Sequence, residues 1–374
     1  MAMSRLKIAL TGLVGAIAMI GASVSQANWG VNLRTPVTPV GADILNLHNL
    51  IVMICAIIFV GVFSVMFYSL YAHRKSKGHV PAKFSHSTSL EIVWSVIPFL
   101  ILVGMAIPST MTLIKMEDTS NADLTVKVTG YQWKWGYDYV GEDVSFYSNL
   151  ATPRAQIEGK EAKGEHYLLE VDKPLVLPTN TKIRFLVTAN DVIHSWWIPE
   201  FGVKKDAIPG YINGIWTYIE KPGTYRGQCA ELCGKDHGFM PIVVEAKSPE
   251  DFKSWLAAQK KQAAAETDAH KRQWAKAELM AKGESVYKTC ATCHGSSGEG
   301  VPDLFPPISG SGVVKGPIRE HLDLVMNGRK DTKMQAFAQQ LSDLEIAAVV
   351  TYQRNALGNE VGDSVQPSQV HALR

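Results

Sequence analysis

Apolar positions along this chain follow three successive patterns. In the first 115 residues they form long runs with few polar interruptions, Ile8 to Ala22, about Ile44–Tyr71 and Leu90–Leu113. A stretch of about 20 apolar residues is needed to cross a bilayer as a helix, so the second and third runs predict a transmembrane hairpin. From Leu124 the pattern alternates: Leu124, Val126 and Val128 lead into Tyr131, Trp133, Trp135, Tyr137 and Tyr139, and later come Ile183, Phe185 and Val187. This period of two predicts antiparallel strands, and Pro174, Pro178, Pro209-Gly210 and Pro222-Gly223 divide them into a sandwich or barrel. From Pro249 to about Lys282 Ala, Lys, Gln and Glu dominate, which predicts helix. A final helix is signalled by the capping box Ser342-Asp-Leu-Glu345.

The first run is short, is preceded by Arg5 and Lys7, and ends at Ser25-Gln-Ala27, so residues 1–27 read as a cleaved signal peptide. The polar segment between the two spans carries His73, Arg74, Lys75, Lys77 and Lys83. Positive loops stay on the cytoplasmic side, so everything after about Ile114 lies outside the cytoplasm. The expected organisation is a signal peptide over 1–27, an N-terminal segment with the membrane hairpin over 28–115 and a β-domain over 116–248. A helical linker over 249–276, a small all-α domain over 277–360 and a tail over 361–374 follow. The balance of 37 basic and 35 acidic residues gives no electrostatic case for nucleic acid.

Four of the five cysteines fall in two chemical signatures, leaving none for a disulfide framework. Cys229-Ala-Glu231-Leu-Cys233-Gly-Lys-Asp-His237-Gly-Phe-Met240 collects two thiols, an imidazole and a thioether, the soft set that selects electron-transfer copper. Thiolates four residues apart on one loop can bridge two copper ions, and a further ligand is needed. His194, in Val192-Ile-His194-Ser-Trp-Trp197, is the best candidate, read as closing a strand at the sandwich edge. The second signature, Cys290-Ala-Thr-Cys293-His294, has the spacing for two thioethers to a haem and a histidine on its iron. Met326 and Met334 compete for the sixth iron position. Leu322, Val325 and Met326 fall at helical spacing, the pattern of a packed core, whereas Met334 lies in a polar loop after Asn327-Gly328. Cys55, inside the first span, reads as a small apolar side chain.

The copper cluster, the strand Gly130-Tyr-Gln-Trp133-Lys-Trp135, the segment Gly202-Val-Lys-Lys-Asp206-Ala-Ile-Pro-Gly210 and the hairpin resemble subunit II of haem-copper cytochrome c oxidases over roughly residues 28–255. The resemblance implies a cupredoxin-like sandwich holding a binuclear copper centre, CuA, on His194, Cys229, Cys233, His237 and Met240, with the backbone carbonyl of Glu231. It also implies that the Glu231 side chain reaches a magnesium or manganese ion shared with subunit I, that Trp133 is the exposed tryptophan where electrons come in, and that Glu91 stands at the mouth of a proton channel. Met334-Gln335-Ala336-Phe337 resembles the Met-Pro-x-Phe segment of cytochromes c, with Gln335 in place of proline, and implies Met334 as the axial ligand of one covalent haem c.

The chain is thus expected to be the electron-input subunit of a terminal oxidase with a fused cytochrome c domain, while oxygen reduction and proton translocation belong to subunit I. The expected partners are subunits I and III, membrane lipid, and cytochrome c or another small redox protein as donor. The expected location is a bacterial inner membrane, crossed twice, with the redox domains periplasmic. Two rivals are the copper subunit of a nitric oxide reductase and a membrane-anchored copper-binding or assembly protein. The filled copper cluster disfavours a quinol donor.

Overall fold

The computed structural model describes residues 30–374 apart from 79, 81, 82 and 84; the signal-peptide reading lies outside the described residues. Residues 36–374 form one compact unit. It opens with two long helices, α1 (Pro39–Ala72) and α2 (Thr88–Glu117). Pro39 stands at the first turn of α1, where its missing N–H costs nothing, and the Thr38 hydroxyl accepts from Gly41 N at 3.0 Å to cap the turn. Along both helices large apolar side chains such as Phe59, Phe67, Leu102 and Ile107 stay exposed, as expected of surfaces solvated by lipid. Beyond the spans the hairpin is tied to the β-domain. Lys115 pairs with Asp43 at 2.5 Å, Trp216 Nε1 donates to the Lys115 carbonyl at 2.9 Å, and the Thr38 hydroxyl donates to Phe201 O at 2.8 Å.

The β-domain is a sandwich of two five-stranded sheets. One runs β3 (Val144–Ser148), β2 (Lys134–Tyr139), β1 (Leu124–Tyr131), β5 (Lys182–Ala189), β8 (Asn213–Tyr218). The other runs β4 (Leu175–Pro178), β10 (Pro241–Lys247), β9 (Gly223–Cys229), β6 (His194–Ile198), β7 (Val203–Ala207). The expectation of purely antiparallel strands needs correction, because β1 pairs parallel with β5 and β4 parallel with β10. Between β3 and β5 the chain leaves the first sheet, contributes β4 to the second, and returns, so β5 re-enters alongside β1 in the same direction. The alternating side chains of both sheets meet in a core that includes Trp135, Tyr137, Tyr139, Phe185 and Trp196. Tyr139 stitches the layers: its hydroxyl donates to Val176 O at 2.7 Å and accepts from Val176 N at 3.1 Å.

Helix α3 (Arg154–Ile157) is a single turn in the connection between β3 and β4. Helix α4 (Pro249–Thr267) starts on the sandwich, where Phe252 and Trp255 pack against Tyr139. The helical C-terminal region follows as α5 (Lys276–His294), α6 (Gly312–Lys315), α7 (Ile318–Asn327), α8 (Asp343–Asn355) and α9 (Pro367–His371). Helices α5 and α8 cross where a side chain at Gly283 would stand 2.2 Å from Ala348 O, so only glycine permits the approach. Ser342 and Glu345 form the capping box that starts α8. Buried Arg354 grips Asp363 through two hydrogen bonds of 2.9 and 2.7 Å, and donates to Val314 O and Gly316 O.

Candidate redox sites

The first site is built where β9, its following loop and β6 meet. Cys229 ends β9, Cys233 and His237 lie in the loop, and Met240 immediately precedes β10. His194 opens β6 instead of closing a strand, because the chain turns at Asn190 and Asp191 and pairs only from His194 onward, against Ala207. Cys229 Sγ lies 3.8 Å from Cys233 Sγ, 4.0 Å from His194 Nδ1 and 3.3 Å from Glu231 O. Cys233 Sγ lies 3.5 Å from His237 Nδ1 and 3.5 Å from Met240 Sδ. Six donor atoms therefore converge: two sulfurs in the middle, and two imidazole nitrogens, a thioether and a carbonyl around them.

The local electrostatics prepare thiolate ligands. Cys233 donates its S–H to Cys229, which holds the Cys229 thiol far below the ordinary thiol range and Cys233 above it. The His194 ring is fully buried, and its Nε2 lies 2.9 Å from Asp191 Oδ1. A carboxylate only accepts, so Nε2 carries the proton and Nδ1 presents its lone pair to the sulfurs. Burial alone would lower the pKa of His194, but the hydrogen bonds to Asp191 and Cys229 outweigh it and leave the value raised. This soft, nearly dry set fits copper.

The second site is a cavity of about 1880 Å³ between the outer face of the β3-β2-β1 edge and the helical region. It exceeds the ~300–1,000 Å³ that drug-sized ligands fill. Cys290, Cys293, His294 and Met334 all line it. His294 Nδ1 donates to Pro306 O at 2.8 Å, which leaves Nε2 as the free ligand atom. Burial pushes the Cys290 thiol up to about 12. Met334 faces the cavity, whereas Met326 is buried in the apolar core around α8. These residues fit a covalently held haem.

The two sites share a wall. Trp133, at the turn between β1 and β2, is half-buried and lines the cavity, and its Nε1 donates to Cys233 O at 3.2 Å. Gln132 Nε2 donates to the same carbonyl at 2.8 Å, and Asp191 Oδ2 accepts from Gln132 N at 2.8 Å. Trp135 Nε1 donates to Met240 O at 3.2 Å, and its ring meets His194 edge to face. Sequence reasoning missed Gln132, Asp191 and Pro306. Only Asp191, three residues before His194, left a local signal, because the other contacts close between distant segments. Glu91 sits exposed in the first turn of α2, and the Glu231 side chain is exposed at the loop surface.

Comparison with known proteins agrees with this geometry. Residues 124–247 match the family described as cytochrome c oxidase subunit II, periplasmic domain, and residues 26–112 match its transmembrane domain. Residues 278–352 match the family described as cytochrome c oxidase, cbb3-type, subunit III. A probable cytochrome c oxidase subunit 2 of Rickettsia prowazekii is 42% identical over 236 residues, 63% of this chain and 74% of that protein. Cytochrome c oxidase subunit 2 of Cereibacter sphaeroides is 36% identical over 268 residues, 66% of this chain and 88% of that one. The crystal structure of the periplasmic domain of cytochrome oxidase subunit II from Bradyrhizobium japonicum is 44% identical, covers 38% of this chain and 98% of its own, and has a TM-score of 0.35. With the hairpin, the copper-fitting sandwich and the helical region in one polypeptide, the chain belongs to the cytochrome c oxidase subunit 2 family and carries a C-terminal cytochrome c domain.

Proposed function

We propose that this electron-input subunit takes electrons from an external donor at its cytochrome c domain and delivers them to the oxidase's catalytic subunit from its copper site. Haem c and two copper ions, when bound, supply reversible one-electron chemistry; the remaining work is done by the chain's own side chains. Cys229, Cys233, His194, His237 and Met240 would hold the copper through their side chains, with the Glu231 backbone carbonyl beside them. Cys290 and Cys293 would hold the haem covalently, and His294 and Met334 would supply the side chains for its iron. Packing and hydrogen bonds hold these side chains in place, so little rearrangement would accompany a change of charge. The observation that carries the reading is the shared wall: Trp133 touches the haem cavity and hydrogen-bonds the backbone of a bridging cysteine.

The chain is a membrane protein with its redox regions on the periplasmic side, working with subunit I. In the finer reading the membrane is a bacterial inner membrane, subunit III is also present, and the donor is cytochrome c or another small redox protein. The exposed Glu231 carboxylate suits a magnesium or manganese ion completed by subunit I, since hard cations take oxygen ligands. Glu91, at the cytoplasmic end of α2, stands at a proton-channel mouth. The domains divide as the sequence pattern suggests near residues 115, 248 and 276, but the last domain runs past residue 360, because Val365 and Val370 pack in its core. The test of the copper assignment is Cys229→Ser or Cys233→Ser, since an alcohol is too hard and too weakly acidic to bridge copper. Either change should abolish the mixed-valence copper signal in electron paramagnetic resonance while the haem spectrum persists; an unchanged signal in either variant refutes the assignment.

A further inference from the structure

A lysine with no carboxylate in ion-pair distance among the described residues closes the haem cavity on the copper-domain side. Lys134 opens β2, and because the neighbouring Trp135 points into the sandwich, Lys134 points out toward the helical region. Its partner across the sheet is Tyr131 on β1, while Gly136, on the same face of β2, pairs with Tyr147 on β3. A Cβ at Gly136 would stand 3.1 Å from the Tyr131 ring and 3.2 Å from the Tyr147 ring, so glycine leaves the space in which the two rings meet edge to face at 5.4 Å. The ammonium lies 4.6 Å from the centre of Tyr147, 5.7 Å from Tyr131 and 5.4 Å from Phe337. Phe337 comes from the helical region, three residues after Met334.

Lys134 is only 5% exposed, yet among the described residues no carboxylate lies within ion-pair distance of it. The carboxylates whose charge reaches it, Asp191, Asp172 and Glu345, form no ion pair with it among the described residues. Cys290 becomes a neutral thioether once a haem is attached. Three aromatic faces hold a cation in place without cancelling its charge. Burial lowers the Lys134 pKa to about 8, so the group remains mostly protonated at neutral pH.

We infer that Lys134 is a potential-setting residue, a fixed buried cation on the cavity wall that raises the reduction potential of the haem. The inference rests on the haem c reading above. Oxidation of a haem releases one electron and leaves one more positive charge on it, and a nearby cation in a weakly screened interior opposes that step. The sign does not depend on which edge faces Lys134: beside the ring the effect is direct repulsion, and beside a propionate it is neutralisation of an anion that would favour the oxidised form. The adjacent residue, Trp133, reaches the copper loop, so the charge sits where an electron leaves the haem cavity.

The experiment is a spectroelectrochemical titration of haem c in the purified oxidase containing the full chain, comparing Lys134→Met, Lys134→Gln and Lys134→Arg. Both neutral variants should lower the midpoint potential, reducing the ferrous-to-ferric ratio at a fixed potential about tenfold, or roughly 59 mV for a one-electron couple. Lys134→Arg should stay near the unaltered protein. Neutral variants with an unaltered low-spin haem spectrum that titrate at the parent potential overturn the inference alone. So does a shift of equal size in Lys134→Arg, which would assign the effect to packing. If Lys134→Met fails to take up haem, Lys134→Gln decides the matter by the same criterion. Absence of covalent haem from the unaltered chain overturns both the inference and the reading beneath it.

Discussion

Gly130→Ala should damage the copper site while leaving the sandwich folded. A Cβ at Gly130 would stand 2.7 Å from His194 Cδ2 and 2.9 Å from Cγ, where ordinary contact begins at 3.4 Å. The ring must therefore retreat by more than half an ångström. It has nowhere to go: it is fully buried, its Nε2 is held by Asp191 at 2.9 Å, and the Trp135 ring lies edge-on with centroids 5.9 Å apart. Alanine in a strand gains about 0.5–1 kcal/mol over glycine, while overpacking costs about 1–3 kcal/mol, so the net loss of about 0–2.5 kcal/mol is survivable. Metal–ligand distances tolerate only about ±0.2 Å, which this shift exceeds, and disturbing a ligand's support costs about 10–100-fold in affinity. Copper titration followed by electron paramagnetic resonance should show at least tenfold weaker binding or an altered signal, with circular dichroism of the β-domain unchanged. Native copper content and an unchanged signal would refute the steric reasoning.

Met334→Ala should convert the haem from a low-spin to an open or misligated state and lower its potential, read by optical spectroscopy. Met326→Ala should mainly cost packing, about 2–5 kcal/mol for a buried methionine, with the haem ligation intact; loss of methionine ligation in Met326→Ala instead would reassign the axial ligand. Arg354→Met should destabilise the cytochrome domain by about 3 kcal/mol, the low end for a broken buried pair because the Asp363 side chain remains 32% exposed. The hydrogen bond from Arg354 holds the Asp363 carboxyl below its ordinary value, with burial opposing. A depressed carboxyl contributes stability above its unfolded pKa and loses it as pH falls through the folded value. Acid unfolding followed by haem absorbance should therefore show this low-pH loss in the unaltered protein and not in Arg354→Met; equal acid sensitivity would count against the pairing.

Legibility in the sequence followed the distance over which each feature is determined. The membrane hairpin was readable because its two apolar runs are long and local, and the copper loop because five of its six donors fall within twelve residues. His194, 35 residues before Cys229, could be nominated only as a histidine beside a tryptophan pair; what fixes it, Asp191 on one side and the bare Gly130 on the other, depends on strands packing together. Alternation cannot report strand direction, so the parallel pairings of β1 with β5 and β4 with β10 were invisible. It also ran through Tyr131 and Trp133 without marking the turn that places Trp133 against Cys233. The C-terminal residues 361–374 carry no periodic signal, yet Val365 and Val370 are fully buried in the core around α8. Lys134 is buried because the helical region covers it, a contact between distant segments that the local pattern does not signal.

The central claim, that electrons held at the cytochrome domain leave through the copper site, is tested most directly by stopped-flow spectroscopy of the purified oxidase. Haem c is reduced with ascorbate and mixed with oxygen, and its reoxidation is followed in the unaltered protein and in His237→Ala. The Nδ1 of His237 faces Cys233 Sγ at 3.5 Å. The account predicts rapid reoxidation in the unaltered protein and a block in His237→Ala with the haem spectrum undisturbed. Reoxidation at the native rate in His237→Ala would contradict it.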